Sequence, residues 1–170
     1  MNPSEIEKAA LLAEIDAAFA NVTREGGVSW SETEVLDGQC ATSDQRIKAR
    51  AKDTEKTWNE LVEHNGWETD RGTGGFSFLD SIGFRYYLPA AMKRSLLLGY
   101  DVGVTGHLSI GSKKNSHREW KIERFVLLNA RQRQCVAHYL LYLERYLNIV
   151  NPSDAWEPRA ALNEYWKTFI

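Results

Sequence analysis

The histidines and cysteines of this chain are spaced too far apart to hold a transition metal. None of the four histidines stands three or four residues from another, the spacing that places two imidazoles on one face of a helix. Cys135 and His138 are three residues apart and would supply half of a zinc site, but the sequence shows no second half. We therefore expect no metal or other cofactor, and we expect Cys40 and Cys135 to be free thiols.

Motifs that bind phosphate or activate a nucleophile are also missing. The glycines of GTGG, residues 72–75, are not followed by the Gly-Lys-Ser/Thr of a P-loop, and no nucleophile elbow surrounds any serine. Catalytic groups nevertheless often converge from distant loops, so an enzyme of unknown reaction is one hypothesis. Its site would be assembled from Asp80, His107, His117 and Arg118.

Acidic and aromatic residues in the first half of the chain support a second hypothesis, a surface that binds another protein. Residues 1–80 carry 16 acids and 8 bases, whereas residues 81–170 carry 7 acids and 13 bases. Either the two halves pack together and neutralise each other, or the acidic half attracts a basic partner. Tryptophans that no helical stripe requires would anchor that partner. The expected contact residues are Trp30, Glu32, Glu34, Asp37 and Trp67.

Helical periodicity runs through most of the chain and gives the fold class. It predicts a mainly α fold, a single-domain irregular bundle of about five helices spanning residues 1–170, with long loops and at most a small hairpin. The predicted helices are 4–21, 43–63, 81–98, 130–147 and 158–169, with a shorter one at 31–38. Weakly strand-like residues around Thr105 and Gly106 would form the hairpin, and residues 124–128 are also strand-like.

Capping pairs mark several of the predicted helix starts. A serine or asparagine followed three residues later by a glutamate or glutamine satisfies two unpaired N–H groups. Such pairs are Ser4 and Glu7, Ser31 and Glu34, and Asn129 and Gln132. Asp80 is expected to cap the helix 81–98. The helix 43–63 is expected to bury one face, or to form a coiled-coil seam, through Ile47, Ala51, Thr54, Trp58 and Leu61.

The predicted helix 81–98 carries Pro89 in its middle. Its apolar face keeps the same phase across the proline, so we expect one continuous helix with a kink. Pro89 falls opposite that face, in line with Arg85 and Lys93, and we expect it to face water and to bend the helix around the core. The alternative is a recognition ridge formed by Arg85, Tyr86, Pro89 and Lys93, which adds Arg85, Tyr86 and Lys93 to the candidate partner-binding residues.

The sequence SFLDSIGFRYYLPAAM, with the upstream EVLD pattern and the helix LLNARQRQCVAHYLLYL, resembles a bacterial family of uncharacterised proteins, a domain of unknown function. The resemblance covers about residues 12–147 and rests mainly on FLD followed by GFRYYLPA. Family members often carry a proline and an acidic residue where this chain has Ser81 and Ile82. The resemblance implies a helical domain and lends no activity.

Localisation and partner class are further expectations from composition. No apolar run approaches the ~18 residues of a membrane span, and glutamates stand where a signal peptide would be basic and then apolar. We therefore expect a cytoplasmic protein. Basic and aromatic residues do not interleave on one element, which argues against nucleic acid. Among protein-binding modules, an antitoxin-like immunity protein that neutralises a toxin by direct binding is the most concrete expectation.

Overall fold

A computed structural model of the chain describes residues 3–38, 40–69, 72–112, 114, 116–150, 153 and 155–170. These residues form eight α-helices, three 3₁₀ turns and no strand. The helices are α1 (Pro3–Phe19), α2 (Trp30–Asp37), α3 (Ser43–Arg50), α4 (Ser81–Leu98), α5 (Thr105–Leu108), α6 (Arg118–Glu123), α7 (Ala130–Val150) and α8 (Trp156–Glu164). The 3₁₀ turns are Trp58–Leu61, Gly75–Phe78 and Trp166–Phe169.

The predicted mainly helical fold is confirmed, but the predicted count of about five helices is wrong. The connections between the long helices contain short helices of their own. The segment expected to form a hairpin contains α5, and residues 124–127 form turns after α6. Most of the apolar residues that suggested strands are buried in the core, so their character reflects burial rather than strand pairing, although Val126 is exposed. The buried ones are Val102, Val104, Leu108, Ile110, Phe125 and Leu128.

Helix α4 is the central helix and is buried on nearly all sides. It is continuous from Ser81 to Leu98, as predicted, and ends at Gly99, whose φ of 78° places it in the left-handed region that favours glycine. Pro89 is buried, so the expectation that it faces water is wrong. Helix α1 and the turn 58–61 both pack against α4, which leaves no free face where the proline was expected to be exposed.

The long helices α1 and α7 pack against each other. Among the described residues, the positions expected to be apolar and buried in α7 are buried, whereas in α1 the expected stripe is only partly buried, because Ile6, Ala10 and Ala13 are exposed. The capping pair at the start of α7 is confirmed. The backbone N–H of Gln132 donates to Asn129 Oδ1 at 2.9 Å, and the backbone N–H of Asn129 donates to Gln132 Oε1 at 3.1 Å. Ser4, in contrast, lies inside α1, which begins at Pro3. The core residues of the two helices are Leu11, Ile15, Ala18, Phe19, Val136, Tyr139, Leu140 and Leu143.

Several acids of the first half meet bases of the second half. This supports the interpretation that the two halves neutralise each other at least in part. The ion pairs are Glu7 with Arg145 at 3.7 Å and Asp16 with Lys93 at 2.8 Å, and Glu14 also contacts His138 at 3.0 Å.

The predicted helix 43–63 is wrong, because it ends after two turns. Helix α3 stops at Arg50, and Ile47 on its expected core face is 66% exposed. Shortly after the helix ends, the Asp53 carboxylate accepts hydrogen bonds from the N–H and Oγ of Ser31, each at 2.8 Å. A carboxylate that caps another helix competes with continued helix formation along its own chain. Trp58 and Leu61 are buried, but from a separate 3₁₀ turn.

Candidate functional site

Residues of the FLD and GFRYYLPA motifs hold the start of α4 against the loop before α2. Asp80 Oδ1 accepts the Gly83 N–H at 2.8 Å, which confirms it as the cap of α4, and it also accepts the Val28 N–H at 3.1 Å. A Cβ on Gly83 would collide with the Val28 carbonyl oxygen, and one on Gly27 would lie 2.6 Å from Ile82 Cγ2. The two backbones therefore approach closely because both positions are glycine.

Tyr87 joins three parts of the chain through its hydroxyl group. The hydroxyl oxygen accepts hydrogen bonds from the Trp30 backbone N–H at 2.9 Å and from Arg24 Nη1 at 2.8 Å, and the hydroxyl donates to Glu55 Oε1 at 3.0 Å. Arg24 and Glu55 also form an ion pair at 2.6 Å. Burial and the charge of Glu55 raise the pKa of Tyr87 far above its ordinary value, so the hydroxyl stays protonated. This network is saturated and structural in character.

Trp30 and Trp67, expected to contact a partner, lie in the core. They are 4% and 3% exposed, and their ring centroids are 5.1 Å apart. Both rings also pack against Tyr87. They therefore present almost no surface to another protein, and the core requires them although no helical stripe does.

Glu32 is also buried, at 3% exposure, and it holds α3 onto α2. Its carboxylate accepts the Ser29 N–H at 2.8 Å and pairs with Arg50 at 2.9 Å and Arg46 at 3.3 Å. The capping pair of α2 is therefore Ser29 and Glu32, two residues before the predicted Ser31 and Glu34. Although burial acts to raise it, the Ser29 hydrogen bonds and the two arginines hold the pKa of Glu32 below its ordinary value.

The other expected partner-binding residues are tied into the fold to different degrees. Asp37 Oδ2 accepts the Gly74 N–H at 2.9 Å, and Glu34 is half-buried. Tyr86 is 1% exposed, and Lys93 pairs with Asp16 across the surface of Trp58. The expected ridge of residues 85, 86, 89 and 93 is therefore not an exposed surface. Arg85 alone is half-buried without a strong partner.

The residues proposed for an enzyme site do not line one cavity together. Asp80 is occupied as a cap, while Arg118 donates to the carbonyl oxygens of Gly111 at 2.6 Å and Glu164 at 3.2 Å. His117 is exposed at the start of α6. His107 lines a cavity of about 310 Å³ with Asp37, Glu68, Thr69 and residues 72–78, and none of the other three residues lines it.

The glycine loop that forms one wall of this cavity is bound to α2. The Gly74 N–H donates to Asp37, and the Gly75 N–H donates to Thr33 Oγ1 at 2.8 Å. Both glycines have positive φ, 68° and 71°, which explains their identity. Because protein side chains satisfy these N–H groups, the loop does not present them to a phosphate as a P-loop does.

Arg124 supports the same wall from behind. It is 5% exposed, and its Nη1 donates to the Phe76 carbonyl oxygen at 3.0 Å. Its guanidinium lies 4.6 Å from the centroid of Trp120 and 5.3 Å from that of Phe84. Burial lowers the pKa of Arg124 to about 10, which still leaves it cationic at neutral pH.

The described residues contain no group of three or more histidine, cysteine or acidic side chains that could hold a metal ion. Cys135 is buried and Cys40 is exposed, and both are free thiols, as predicted. His138, three residues from Cys135, hydrogen-bonds Glu14 at 3.0 Å.

One exposed apolar surface was missed by sequence reasoning. Leu97, Leu98 and Tyr100 are 51%, 48% and 56% exposed at the C-terminal end of α4. Arg94, one turn earlier, donates to the His64 carbonyl oxygen at 2.9 Å and so brings the loop 63–68 alongside. The sequence contains a signal for this surface, because Leu97 and Leu98 are apolar but fall outside the apolar face predicted for the helix 81–98. We name this region the α4-end surface and define it as Glu63, Glu68, Leu97, Leu98 and Tyr100.

A cleft of about 250 Å³ lies beside the α4-end surface. Glu68, Arg94 and Tyr100 line it together with Trp67, Thr69, Asp101 and Val102. Glu63 and Glu68 of the loop 63–68 are exposed, and Glu68 lines this cleft together with Arg94. None of the helices in the described part of the chain is long and apolar enough to cross a membrane.

Comparison with known proteins gives a family without a known activity. No curated protein and no solved structure matches the chain. A family model described as a family of unknown function, DUF6714, matches residues 7–170, a longer stretch than the predicted 12–147. The match agrees with the predicted resemblance to an uncharacterised family. The chain therefore belongs to the family DUF6714.

Proposed function

We propose that this protein is a protein-binding module that contacts a basic partner through the α4-end surface. The observation that carries the proposal is the exposure of Leu97, Leu98 and Tyr100, each about half accessible within four residues. Large apolar side chains exposed together are typical of interaction surfaces, and tyrosine is enriched at their centres. Two exposed carboxylates of the loop 63–68, Glu63 and Glu68, favour a positively charged partner.

Within this class we propose an antitoxin-like immunity protein that acts in a bacterial cytoplasm and neutralises a toxin by direct binding. The acidic surplus of residues 1–80 supports it, because charge complementarity speeds the capture of a basic toxin. The α4-end surface takes the place of Trp30, Glu32 and Trp67 as the contact region, since those three side chains are buried.

The test compares three immobilised proteins in extracts of the native host. They are the wild type, the double variant Leu98→Ser/Tyr100→Ala, and the control Ile47→Ser, which replaces an apolar residue that is 66% exposed elsewhere. We expect quantitative mass spectrometry to find a protein retained by the wild type and the control but lost from the double variant. Equal retention by all three proteins would contradict the proposed surface.

The purified partner then tests charge and toxicity separately. Its association rate with the wild type should fall as salt rises, because exposed charges are screened over ~8 Å at physiological ionic strength. Expressed alone it should arrest growth, and co-expression of the wild type but not the double variant should restore growth. A harmless partner would overturn the immunity assignment and leave the binding module standing.

A second candidate, a small enzyme, is favoured by the position of His107 alone. Its ring packs on Phe76 and borders the cavity of about 310 Å³ that Asp37 and Glu68 also line. A polar cavity with one histidine and two carboxylates is suited to acid–base chemistry. Turnover of a small-molecule panel that disappears in His107→Ala would support this candidate over the binding module.

A further inference from the structure

A polar cavity of about 330 Å³ lies where α1, α4 and α7 meet, away from the α4-end surface. The end of α1 and the turn after it form one wall with alanines and Asn21, which leaves space in front of the longer side chains of the other two helices. Helix α4 contributes Arg85, and the start of α7 contributes Asn129, Arg131 and Gln132.

Two arginines in this cavity have no acidic partner in the part of the chain that the structure describes. Neither Arg85 nor Arg131 forms an ion pair with a described residue, and no carboxylate lies among the described residues that line the cavity. Other arginines without an acidic partner among the described residues bond backbone carbonyl oxygens at closer range, as Arg118 does to Gly111 at 2.6 Å and Arg124 to Phe76 at 3.0 Å. The cavity therefore holds two uncompensated positive charges.

Arg85 is also short of hydrogen-bond acceptors. Its Nη1 reaches the Leu127 carbonyl oxygen only at 3.5 Å, and its Nε is buried without a partner. A buried N–H without an acceptor is costly, and such groups in native proteins often bind a water molecule or an ion. Arg85 belongs to GFRYYLPA, and it is the polar residue of that motif whose role the packing of the fold does not account for.

The start of α7 adds to the positive character of the cavity. This helix has 21 residues, and the partial positive charge at its N-terminus is directed toward the space that Arg131 borders. Gln132 is held in place because its Nε2 donates to the Ala18 carbonyl oxygen at 3.1 Å. The cavity thus has donors on fixed helices and one wall of mostly small side chains.

We propose that this cavity binds an oxyanion that carries two negative charges, with a phosphate group as the simplest ligand. A dianion neutralises both guanidiniums, supplies acceptors for the planar N–H groups of Arg85, and lies at a helix N-terminus, where phosphate groups are stabilised. The site is independent of the α4-end surface, so either one stands if the other fails.

Calorimetric titration of the full-length protein tests the site with defined probes. Inorganic phosphate and sulfate are the dianions, acetate is the monoanion, and chloride keeps the ionic strength constant. We expect phosphate and sulfate to bind and to raise the melting temperature, and acetate and chloride to do neither. Phenyl phosphate that binds more tightly than inorganic phosphate would identify a small phosphomonoester as the ligand, whereas equal binding would identify the free ion.

Two variants and a control assign the binding to the cavity. Arg131→Gln changes an exposed side chain, so it should fold normally and lose at least tenfold in phosphate affinity. Arg85→Met should abolish phosphate binding. Arg145→Gln makes the same replacement as Arg131→Gln at the other end of α7, outside the cavity, and should bind as the wild type does. Unchanged affinity in Arg131→Gln, or phosphate binding no stronger than that of chloride, would overturn the site.

Discussion

At the scale of single residues, two adjacent tyrosines of the motif have different roles. The hydroxyl of Tyr87 bonds Trp30, Arg24 and Glu55, whereas Tyr86 contributes its ring, packed edge-on against Tyr87 and below Arg24. From the sequence YY alone these roles cannot be distinguished, because both tyrosines precede Pro89 on the same helix. The difference depends on which part of the chain lies opposite each hydroxyl.

Tyr87→Phe should therefore destabilise the protein by about 2 kcal/mol, because it leaves the buried N–H of Trp30 without an acceptor. Tyr86→Phe is the matched control and should change the free energy of unfolding by about 0.5 kcal/mol or less. Urea denaturation measures both. Equal losses in the two variants would mean that the Tyr87 network is not what stabilises this region.

Glu32 predicts a pH dependence of stability. Its folded-state pKa lies below the ordinary value, so its ionised form stabilises the fold at pH values above about 4.3, and this contribution is lost as the pH falls through the folded-state value. Glu32→Gln should therefore cost about 2 kcal/mol at pH 7 and less at pH 3.5. Denaturant unfolding at both pH values checks this, with the exposed Glu63→Gln as a neutral control. A cost independent of pH would contradict it.

Local signals predicted two of the helix caps and misplaced the caps of α1 and α2, and they missed the residues that interact across the chain. Asp80 and the pair Asn129 and Gln132 were predicted correctly, because a cap depends on residues three apart. Trp30 and Trp67 were taken for exposed loop aromatics, because their burial depends on each other across 37 residues and on Tyr87. Sequence periodicity cannot report such distant packing.

At the scale of elements, the contact of α4 with the loop before α2 depends on Gly83, which has no side chain. Replacement of a helical glycine by alanine normally stabilises a protein by about 0.5–1 kcal/mol. At Gly83 the sign should reverse, to a loss of about 2 kcal/mol, because the new Cβ would meet the Val28 carbonyl oxygen. Thermal unfolding measures the change.

Gly106→Ala provides the comparison for Gly83→Ala. Gly106 lies in the short helix α5, and a Cβ there meets no atom within 4 Å. Its replacement should be neutral or slightly stabilising. A Gly83→Ala variant as stable as Gly106→Ala would show that the loop can move away from α4 without cost.

The elements themselves were predictable in proportion to their length. Helices α4 and α7 were located within a few residues, because apolar positions repeat over many turns in both. Helix α3 was overextended, because a five-position stripe continued by chance through Asp53, whose carboxylate caps α2 instead. Pro89 was placed on the wrong side, because one sequence does not reveal that α1 and the turn 58–61 cover the helix.

At the scale of the whole molecule, the candidate sites consist of side chains that the packing of the fold leaves exposed or unpaired. The acidic half is partly neutralised through α1, so its charge gave an incomplete guide to the surface. The α4-end surface and the arginine cavity each combine residues far apart in sequence. Arg85 was among the predicted partner-binding residues, but its cavity required the ends of three helices.

The two cysteines make it possible to measure the opening of the core by chemical modification. Cys40 is exposed, whereas Cys135 is fully buried, and burial raises the pKa of its thiol, so almost no reactive thiolate forms in the native state. A thiol reagent should modify one cysteine per chain rapidly in native buffer and the second only after unfolding. In Cys40→Ser the fast phase should vanish, and equally fast modification of both thiols in the wild type would contradict this expectation. The slow modification of Cys135, followed over hours without denaturant, then reports how often the buried face of α7 becomes accessible to solvent.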